Sequence, residues 1–291
     1  MIIKKILFPT KFRELAFDAL DALTELKKVG LKQVVLLHVI EREEVAFVPY
    51  GGYLKDEEER LEEIAKVRFE EWQEKLGQKG IESKIYIVVG NPVVKILSLA
   101  GEENVDLIVA GRKKRKGLQR LYIGSTMLDL LRRTNFPVLT YKYMCEFEKE
   151  GAVYTRINER IFEKPLIVTD WSAPSERVLE YITGFKGLIK KVSVIHVLSE
   201  DLSKEEIQEV EKENKKKLEA VCNQLGEQGI KASSHVYTGK IEEEVLKATW
   251  ENKNTLIAMG TTGKGKWREF WLGSTSHRIA ELAEVPVLLI P

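Results

Sequence analysis

The feature that most constrains the fold is an internal repeat of about half the chain length. The segment VDLIVAGRKKRKGLQRLYIGSTMLDLLRRTNFPVLTY aligns with the later segment NTLIAMGTTGKGKWREFWLGSTSHRIAELAEVPVLLI. The offset is constant, because Gly111 and Gly260 are 149 residues apart, and so are Gly124 and Gly273. The chain is therefore a tandem duplication. We expect a first half at 1–141, a linker at 142–161 and a second half at 162–291.

Within each half, apolar runs typical of buried strands alternate with amphipathic segments typical of helices. In the first half we predict strands at 2–9, 33–40, 84–89, 105–110 and 137–141, and helices at 14–28, 56–76, from Pro92 onward and at 126–133. The second half repeats this order, with strands that begin near 165, 192, 232, 255 and 287. Because most connections are too long for hairpins, each half is predicted to form an open, mostly parallel five-stranded α/β sheet with helices on both faces.

Composition excludes several classes of partner. The 46 Lys and Arg residues against 45 Asp and Glu residues leave a net charge of +1, which gives no reason to expect nucleic acid or an anionic membrane. No apolar run reaches the length of a membrane span. Cys145 and Cys222 lie far apart without metal-ligand spacing, so we expect a reducing, cytoplasmic location.

The segment GTTGKGKWREFWLGS, from Gly260 to Ser274, predicts an anion site. It connects the predicted strand TLIAM to the predicted helix STSHRIAELAEV, and a strand that feeds a helix through glycines presents free backbone N–H groups at the positive end of the helix dipole. Ser274 could donate its hydroxyl to an anion. The alternative is that Ser274 caps the helix even when no ligand is bound.

Other binding motifs fit the sequence less well. The loop nearly satisfies the G-x4-G-K-[ST] phosphate motif, but Trp267 replaces the hydroxyl that would hold magnesium. The G-x-G-x-x-G pattern fails because Arg268 replaces its third glycine. His38 and His196 occupy matching strand ends without a second ligand at metal spacing, so we predict packing roles and no metal site. No nucleophile with an adjacent base can be identified, so no catalytic residue is assigned.

The second half has Gly260, Gly263 and Gly273 at G-x2-G-x9-G spacing, a hydroxyl at Ser274, and Asp170 at the end of its first strand. This pattern, which recurs over nearly the whole chain, resembles the universal stress protein family. The resemblance implies two sheets of order 3-2-1-4-5, a fold that is Rossmann-like and adenine nucleotide alpha hydrolase-like. It further implies ATP or AMP as ligand, with adenosine near the aspartate and phosphates at the glycine loop, and magnesium only together with ATP.

By position, the resemblance assigns nucleotide contacts to Thr169, Asp170, Val197, Met259, Gly260, Gly263, Gly273, Ser274 and Thr275. Lys264, within the loop, adds mobile positive charge and completes the candidate set. The sheet argument is independent of the family, because open α/β sheets bind ligands beyond the carboxyl ends of their strands.

The first half keeps Gly111, Gly124, Ser125 and Thr126 as candidate contacts, but it departs from the pattern at two positions. Lys11 stands in place of the aspartate, and Lys114 stands in place of the middle glycine. A lysine cannot accept a hydrogen bond, so a contact that needs a carboxylate is lost. We therefore predict that the second half binds nucleotide and that the first half binds it weakly, differently or not at all.

The resulting hypothesis is a nucleotide-regulated stress-response or signalling protein. A slow ATPase, or another nucleotide-cleaving enzyme of the same fold group, is the competing hypothesis, and a scaffold that needs no nucleotide is the third. The resemblance also implies that the last strands of the two halves pair within one chain as a pseudo-dimer. A homodimer of whole chains is a further arrangement consistent with the sequence.

Overall fold

The computed structural model describes residues 2–12, 16–47, 52–111, 124–141, 144–149, 152–157, 160–200, 204–261 and 273–291. In these residues strands and helices alternate in both halves, as the sequence predicts. The first half contains β1 (Lys5–Pro9), α1 (Ala16–Leu23), β2 (Gln33–Ile40), α2 (Arg42–Val45), β3 (Ala46–Phe47), β4 (Gly52–Tyr53), α3 (Lys55–Gln78), β5 (Glu82–Val89), α4 (Pro92–Glu102), β6 (Leu107–Gly111), α5 (Ser125–Arg133) and β7 (Val138–Tyr141).

After an additional hairpin, the remaining elements repeat this order without described counterparts of α2, β3 and β4. They are β8 (Met144–Lys149), β9 (Ala152–Ile157), β10 (Pro165–Val168), α6 (Ala173–Gly184), β11 (Val192–Leu198), α7 (Lys204–Glu227), β12 (Ala232–Thr238), α8 (Ile241–Glu251), β13 (Leu256–Gly260), α9 (Ser274–Leu282) and β14 (Val287–Ile290). Short 3-10 helices follow α1 at Thr24–Val29 and α6 at Lys186–Leu188. No helix in the described ranges is both long and apolar enough to span a membrane.

Ten of the described strands form one continuous sheet, in the order β12-β11-β10-β13-β14-β7-β6-β1-β2-β5. Each half has the predicted order 3-2-1-4-5 and is parallel throughout. The two halves join where β14 pairs with β7 in the antiparallel direction, with Leu288 opposite Leu139. The two predicted five-stranded sheets are thus joined edge to edge, because the expected pairing of the last strands continues the hydrogen-bond ladder between the halves.

The sheet is covered on both faces, which explains why its central strands are apolar throughout. One face packs against α1, α3, α6 and α7 and the other against α4, α5, α8 and α9. Adjacent residues of the joining strands enter opposite cores: Leu139 and Leu288 belong to the first, and Val138 and Leu289 to the second. All four are fully buried. Burying one such side chain contributes about 1.5–3 kcal/mol, so both cores stabilise the junction.

Two segments differ from the sequence prediction. The helix predicted at 14–28 is divided into α1 and the 3-10 helix Thr24–Val29, which ends at Gly30 with a φ of 121°. The linker contains the antiparallel hairpin β8–β9, which pairs with itself and not with the large sheet among the described residues. The charged composition of 142–161 indicated a linker, but it does not show whether two strands can pair in register within it.

Candidate functional site

The candidate crevice lies beyond the carboxyl ends of β10 and β13. These strands are neighbours, and Val168 of β10 pairs with Met259 of β13. From β10 the chain continues to β11 on one side, whereas β13 continues to β14 on the other. This is the switch point at which open α/β sheets leave room for a ligand. Thr169 and Gly260 therefore lie side by side at its floor.

The end of β10 holds the Asp170 carboxylate in a fixed orientation. Oδ1 of Asp170 accepts from the backbone N–H of Ser172 at 3.0 Å and from the Ser172 hydroxyl. Ser172 is also the N-cap of α6, where its hydroxyl accepts from the N–H of Ser175. An Asp whose carboxylate bonds the backbone two residues later forms an Asx-turn, which fixes the side chain against the start of α6.

Trp171, which follows Asp170, forms the wall next to the carboxylate. Its backbone φ is 63°, a left-handed conformation that is uncommon for a bulky residue. Its N–H donates to Oγ1 of Thr169 at 3.1 Å, and its indole N–H donates to Oδ1 of the buried Asn214 on α7. The ring also lies 5.6 Å from the His196 ring and 5.7 Å from Nζ of Lys217. These contacts stabilise the strained backbone beside Asp170.

Gly260 is required at the end of β13 by packing. A Cβ atom added there would lie 2.7 Å from Cβ of Pro174 and 3.2 Å from the backbone N of Ser175, both in the first turn of α6. At a phosphate-binding turn, a glycine also lets the backbone approach the anion closely. The structure supplies a second reason, since the start of α6 already occupies the space that a side chain would need.

The start of α9 contradicts the alternative role considered for Ser274, that of helix cap. Gly273 is the N-cap residue, and Ser274 is the first residue of the helix, with an exposed side chain. The first backbone bond of the helix runs from the N–H of His277 to the carbonyl of Gly273. Gly273 has no side chain that could accept hydrogen bonds from the first amides of the helix. The N–H groups of Ser274, Thr275 and Ser276 therefore have no intrahelical acceptor, which is the arrangement that attracts anions.

A cluster of buried hydroxyls at this edge of the sheet was missed by the sequence analysis. Ser276 is 4% exposed and donates to the carbonyl oxygens of Gly260 at 3.0 Å and Thr261 at 3.2 Å. Ser175 is 3% exposed, and its Oγ lies 3.2 Å from Oγ1 of Thr169. Alignment of the halves contains the signal, because the first half has Ala16 and Met127 in place of these serines.

The remaining candidates of the second half fall into two groups. Val197 and Met259 are buried, 9% and 6% exposed, and belong to the core on the α8 and α9 face. Their side chains contribute to the core packing beneath the crevice. Gly263 and Lys264 lie outside the described residues.

The first half builds the same strand end without the carboxylate. Phe12 has a φ of 51° and its N–H donates to Oγ1 of Thr10 at 2.9 Å, which repeats the Thr169–Trp171 arrangement. Nδ1 of His38 donates to the Thr10 carbonyl at 2.9 Å, as Nδ1 of His196 does to the Thr169 carbonyl at 2.7 Å. Burial lowers the pKa of His38. These histidines bind backbone oxygen and serve the local fold.

Lys11, at the position of the missing aspartate, forms an ion pair with Glu41 at the end of β2. The Glu41 carboxylate is also the N-cap of α2, in a reciprocal capping box with Glu44. The first half therefore joins the ends of its first two strands through a cation that belongs to the chain itself.

Gly111 and Gly124 of the first half occupy the positions of Gly260 and Gly273. Among the described residues no heavy atom lies within 4 Å of a Cβ added to Gly111. Gly124 is the N-cap of α5, which makes Ser125 the first helical residue, and the side chains of Ser125 and Thr126 are exposed. Lys114 lies outside the described residues. In the described part of the chain no group of three His, Cys, Asp or Glu side chains could hold a metal ion.

The fold and the site together define a tandem, doubly wound α/β protein whose switch-point crevice in the second half carries an aspartate and an uncapped helix N-terminus. The sequence model of the universal stress protein family matches residues 3–142 and 162–291. The chain therefore belongs to the universal stress protein family and contains two copies of its domain.

Individual relatives agree with this assignment. Universal stress protein MJ0577 of Methanocaldococcus jannaschii is 33% identical over 153 residues, which are 48% of this chain and 94% of the relative. Universal stress protein YxiE of Bacillus subtilis is 28% identical over 45% of this chain and 99% of its own length. Each relative thus corresponds to about one half. A solved universal stress protein from Archaeoglobus fulgidus shares the tandem fold, with a TM-score of 0.70 over 98% of this chain and 95% of its own, at 24% identity.

Proposed function

We propose that the second half binds an adenine nucleotide, ATP or AMP, as a regulatory ligand in the crevice between β10 and β13. One observation carries the proposal: the carboxylate of Asp170 follows β10, the start of α9, which carries the uncapped amides, is bonded back to the end of β13, and these two strands are neighbours. A nucleoside phosphate has hydroxyl donors at one end and an anion at the other. Oδ2 of Asp170 would accept from the nucleoside, and the α9 amides would bind phosphate.

In the first half we propose weak, different or no binding. Lys11 replaces the acceptor and is engaged by Glu41, so an adenosine in the equivalent position would have to displace an ion pair. Magnesium is expected only as a companion of ATP, held by the phosphates.

The regulatory role is supported by how the loop is attached. The N–H of Thr261, directly after β13, donates to the carbonyl of Ile290 at 2.8 Å. Ile290 ends β14, the strand that pairs with β7 of the first half. A ligand that reorders the loop would therefore act on the strand that joins the halves. This gives a physical route by which nucleotide could change a partner surface without being cleaved.

The first test is to release and identify the nucleotide that co-purifies with the protein, and to count its equivalents per chain. The expected result is one equivalent of ATP or AMP. Calorimetric titration of stripped protein then compares the wild type with Asp170→Ala, and with Lys11→Ala as the matched change in the first half. Asp170→Ala should weaken binding by about tenfold or more, since hydrogen bonds to charged groups contribute roughly 1.5–3 kcal/mol. Binding lost in Lys11→Ala but retained in Asp170→Ala would overturn the assignment.

The competing functions have distinct outcomes. Saturable, magnesium-dependent hydrolysis that is lost in both Asp170→Ala and Gly263→Lys would show an ATPase, and the binding-only proposal would be wrong. Undetectable binding of ATP and AMP would instead favour a scaffold.

We also propose that the protein is cytoplasmic and has no nucleic-acid partner. The two joined halves act as an internal pseudo-dimer in this proposal. Light scattering tests whether whole chains associate further as a homodimer.

A further inference from the structure

Ser276 makes the contact on which this inference rests. It is the third residue of α9, a position from which a serine hydroxyl can bond the carbonyl of the N-cap residue, as Ser175 bonds Ser172 in α6. Instead the hydroxyl reaches out of the helix to the carbonyl oxygens of Gly260 and Thr261, 16 and 15 residues earlier in the chain. It thereby ties the start of α9 to the end of β13, across the base of the glycine loop.

A second hydrogen bond closes the base of the same loop. The N–H of Gly273 donates to the carbonyl of Thr261 at 2.8 Å, and a Cβ atom added to Gly273 would lie 3.3 Å from that oxygen. Gly260 also packs closely against Pro174 and Ser175 in the first turn of α6, which leave no room for a side chain. The end of β13 is therefore fixed between the first turns of two helices, and Ser276 supplies the side-chain contact on the α9 side.

The first half lacks this contact. Met127 occupies the position of Ser276 and is buried, 8% exposed. A thioether has no hydrogen to donate, so it cannot bind the carbonyls at the end of β6. Ser276 and Met127 therefore distinguish the two halves independently of Asp170 and Lys11.

We propose that Ser276 is a positioning residue for the phosphate subsite. Its hydroxyl sets the separation and direction of the α9 amides relative to the end of β13, and so determines how well they meet a phosphate. Ser276 acts through the backbone and is not itself assigned a contact with the ligand. This inference rests on the proposed nucleotide binding. It predicts that Ser276 affects the phosphorylated part of the ligand and not the nucleoside.

The experiment compares ATP, AMP and adenosine by competition against a fluorescent ATP analogue bound to the full chain. The variants are Ser276→Ala, which removes the donor, and Ser276→Thr, which keeps it. Thr249→Ala is the matched control, because the buried Thr249 hydroxyl also donates to a backbone carbonyl, that of Val245 within α8 at 2.7 Å. Melting temperatures are measured for every variant to compare folding.

Ser276→Ala should weaken the binding of ATP and AMP by about fivefold to tenfold, which is the usual contribution of one buried hydrogen bond. Adenosine should change by less than about twofold, Ser276→Thr should restore most of the affinity, and Thr249→Ala should resemble the wild type in all three ligands.

Equal weakening of all three ligands in Ser276→Ala would mean general destabilisation and would overturn the proposal, as would unchanged binding of ATP and AMP. If the wild type binds none of the ligands, the proposed function itself is wrong and this inference falls with it.

Discussion

Substituting Gly260 by alanine tests whether the floor of the crevice is set by packing. The new Cβ would lie 2.7 Å from Cβ of Pro174, closer than real Cβ contacts allow, and 3.2 Å from the backbone C of Pro174 and N of Ser175. Because two of these three atoms are backbone, relief requires movement of the α6 N-terminus and not a change of rotamer. Overpacking of this kind costs about 1–3 kcal/mol.

Alanine also lowers the conformational entropy of the unfolded chain, which returns about 0.4–1 kcal/mol. The net expectation for Gly260→Ala is a loss of about 1–2 kcal/mol, or roughly 2–8 °C in melting temperature. The matched control is Gly111→Ala in the first half, where no heavy atom lies within 4 Å of the added Cβ among the described residues. For that variant we expect no loss, and a gain of up to about 1 kcal/mol.

The assay is thermal unfolding followed by circular dichroism, together with nucleotide titration of both variants. Movement of α6 would displace Ser172, which orients the Asp170 carboxylate, so nucleotide affinity should fall in Gly260→Ala and stay unchanged in Gly111→Ala. Equal melting temperatures for the two variants would refute the packing argument. A stable Gly260→Ala protein with lost binding would instead support the close approach of phosphate as the reason for this glycine.

Three further outcomes are expected. Hydrogen bonds from Tyr86 and two lysines lower the pKa of Glu103 to about 2. In urea unfolding at pH 7, Glu103→Gln should therefore lower the free energy of unfolding by about 1–3 kcal/mol. The difference from the wild type should vanish as the pH falls from 4.5 towards 2, because the wild-type carboxylate becomes protonated. Thr140→Val should cost about 1 kcal/mol in the same assay, because the buried Thr140 hydroxyl donates to the Val287 carbonyl across the junction of the halves. Lys11→Asp alone should leave nucleotide stoichiometry at one equivalent, since the other site differences of the first half remain.

Strand positions were predictable because burial on both faces leaves long apolar runs in the sequence. The strand predicted at 33–40 is β2 (Gln33–Ile40) without adjustment, and the helix expected to open at Pro92 is α4, capped by Asn91. The repeat fixed the equivalence of the halves. The resemblance then supplied the sheet order, which periodicity alone does not determine.

The site was less predictable because its geometry depends on contacts between distant residues. The alternative of a helix cap at Ser274 is wrong, because Gly273 adopts the extended N-cap conformation, with a ψ of 148°, and Ser274 is the first residue of the helix. Ser276 could not be identified from the sequence, because serine is a common residue in the first turn of a helix. Its importance comes from hydrogen bonds to carbonyls that are 15 and 16 residues earlier in the chain, and the local sequence does not show that these residues lie close together in the fold.

Comparison of the halves separates what the fold needs from what a ligand would need. Both halves place a threonine hydroxyl under a left-handed aromatic residue and bind that threonine's carbonyl to a histidine, although one half lacks the aspartate. This shared unit therefore builds the strand end, and Thr169 has a structural task whether or not nucleotide binds. Three of the differences between the halves replace a hydrogen-bonding side chain at this edge of the sheet: Asp170 corresponds to Lys11, Ser175 to Ala16 and Ser276 to Met127. The first half thus keeps the packing of the strand end without these three groups, which is the difference expected if only the second half binds the proposed ligand.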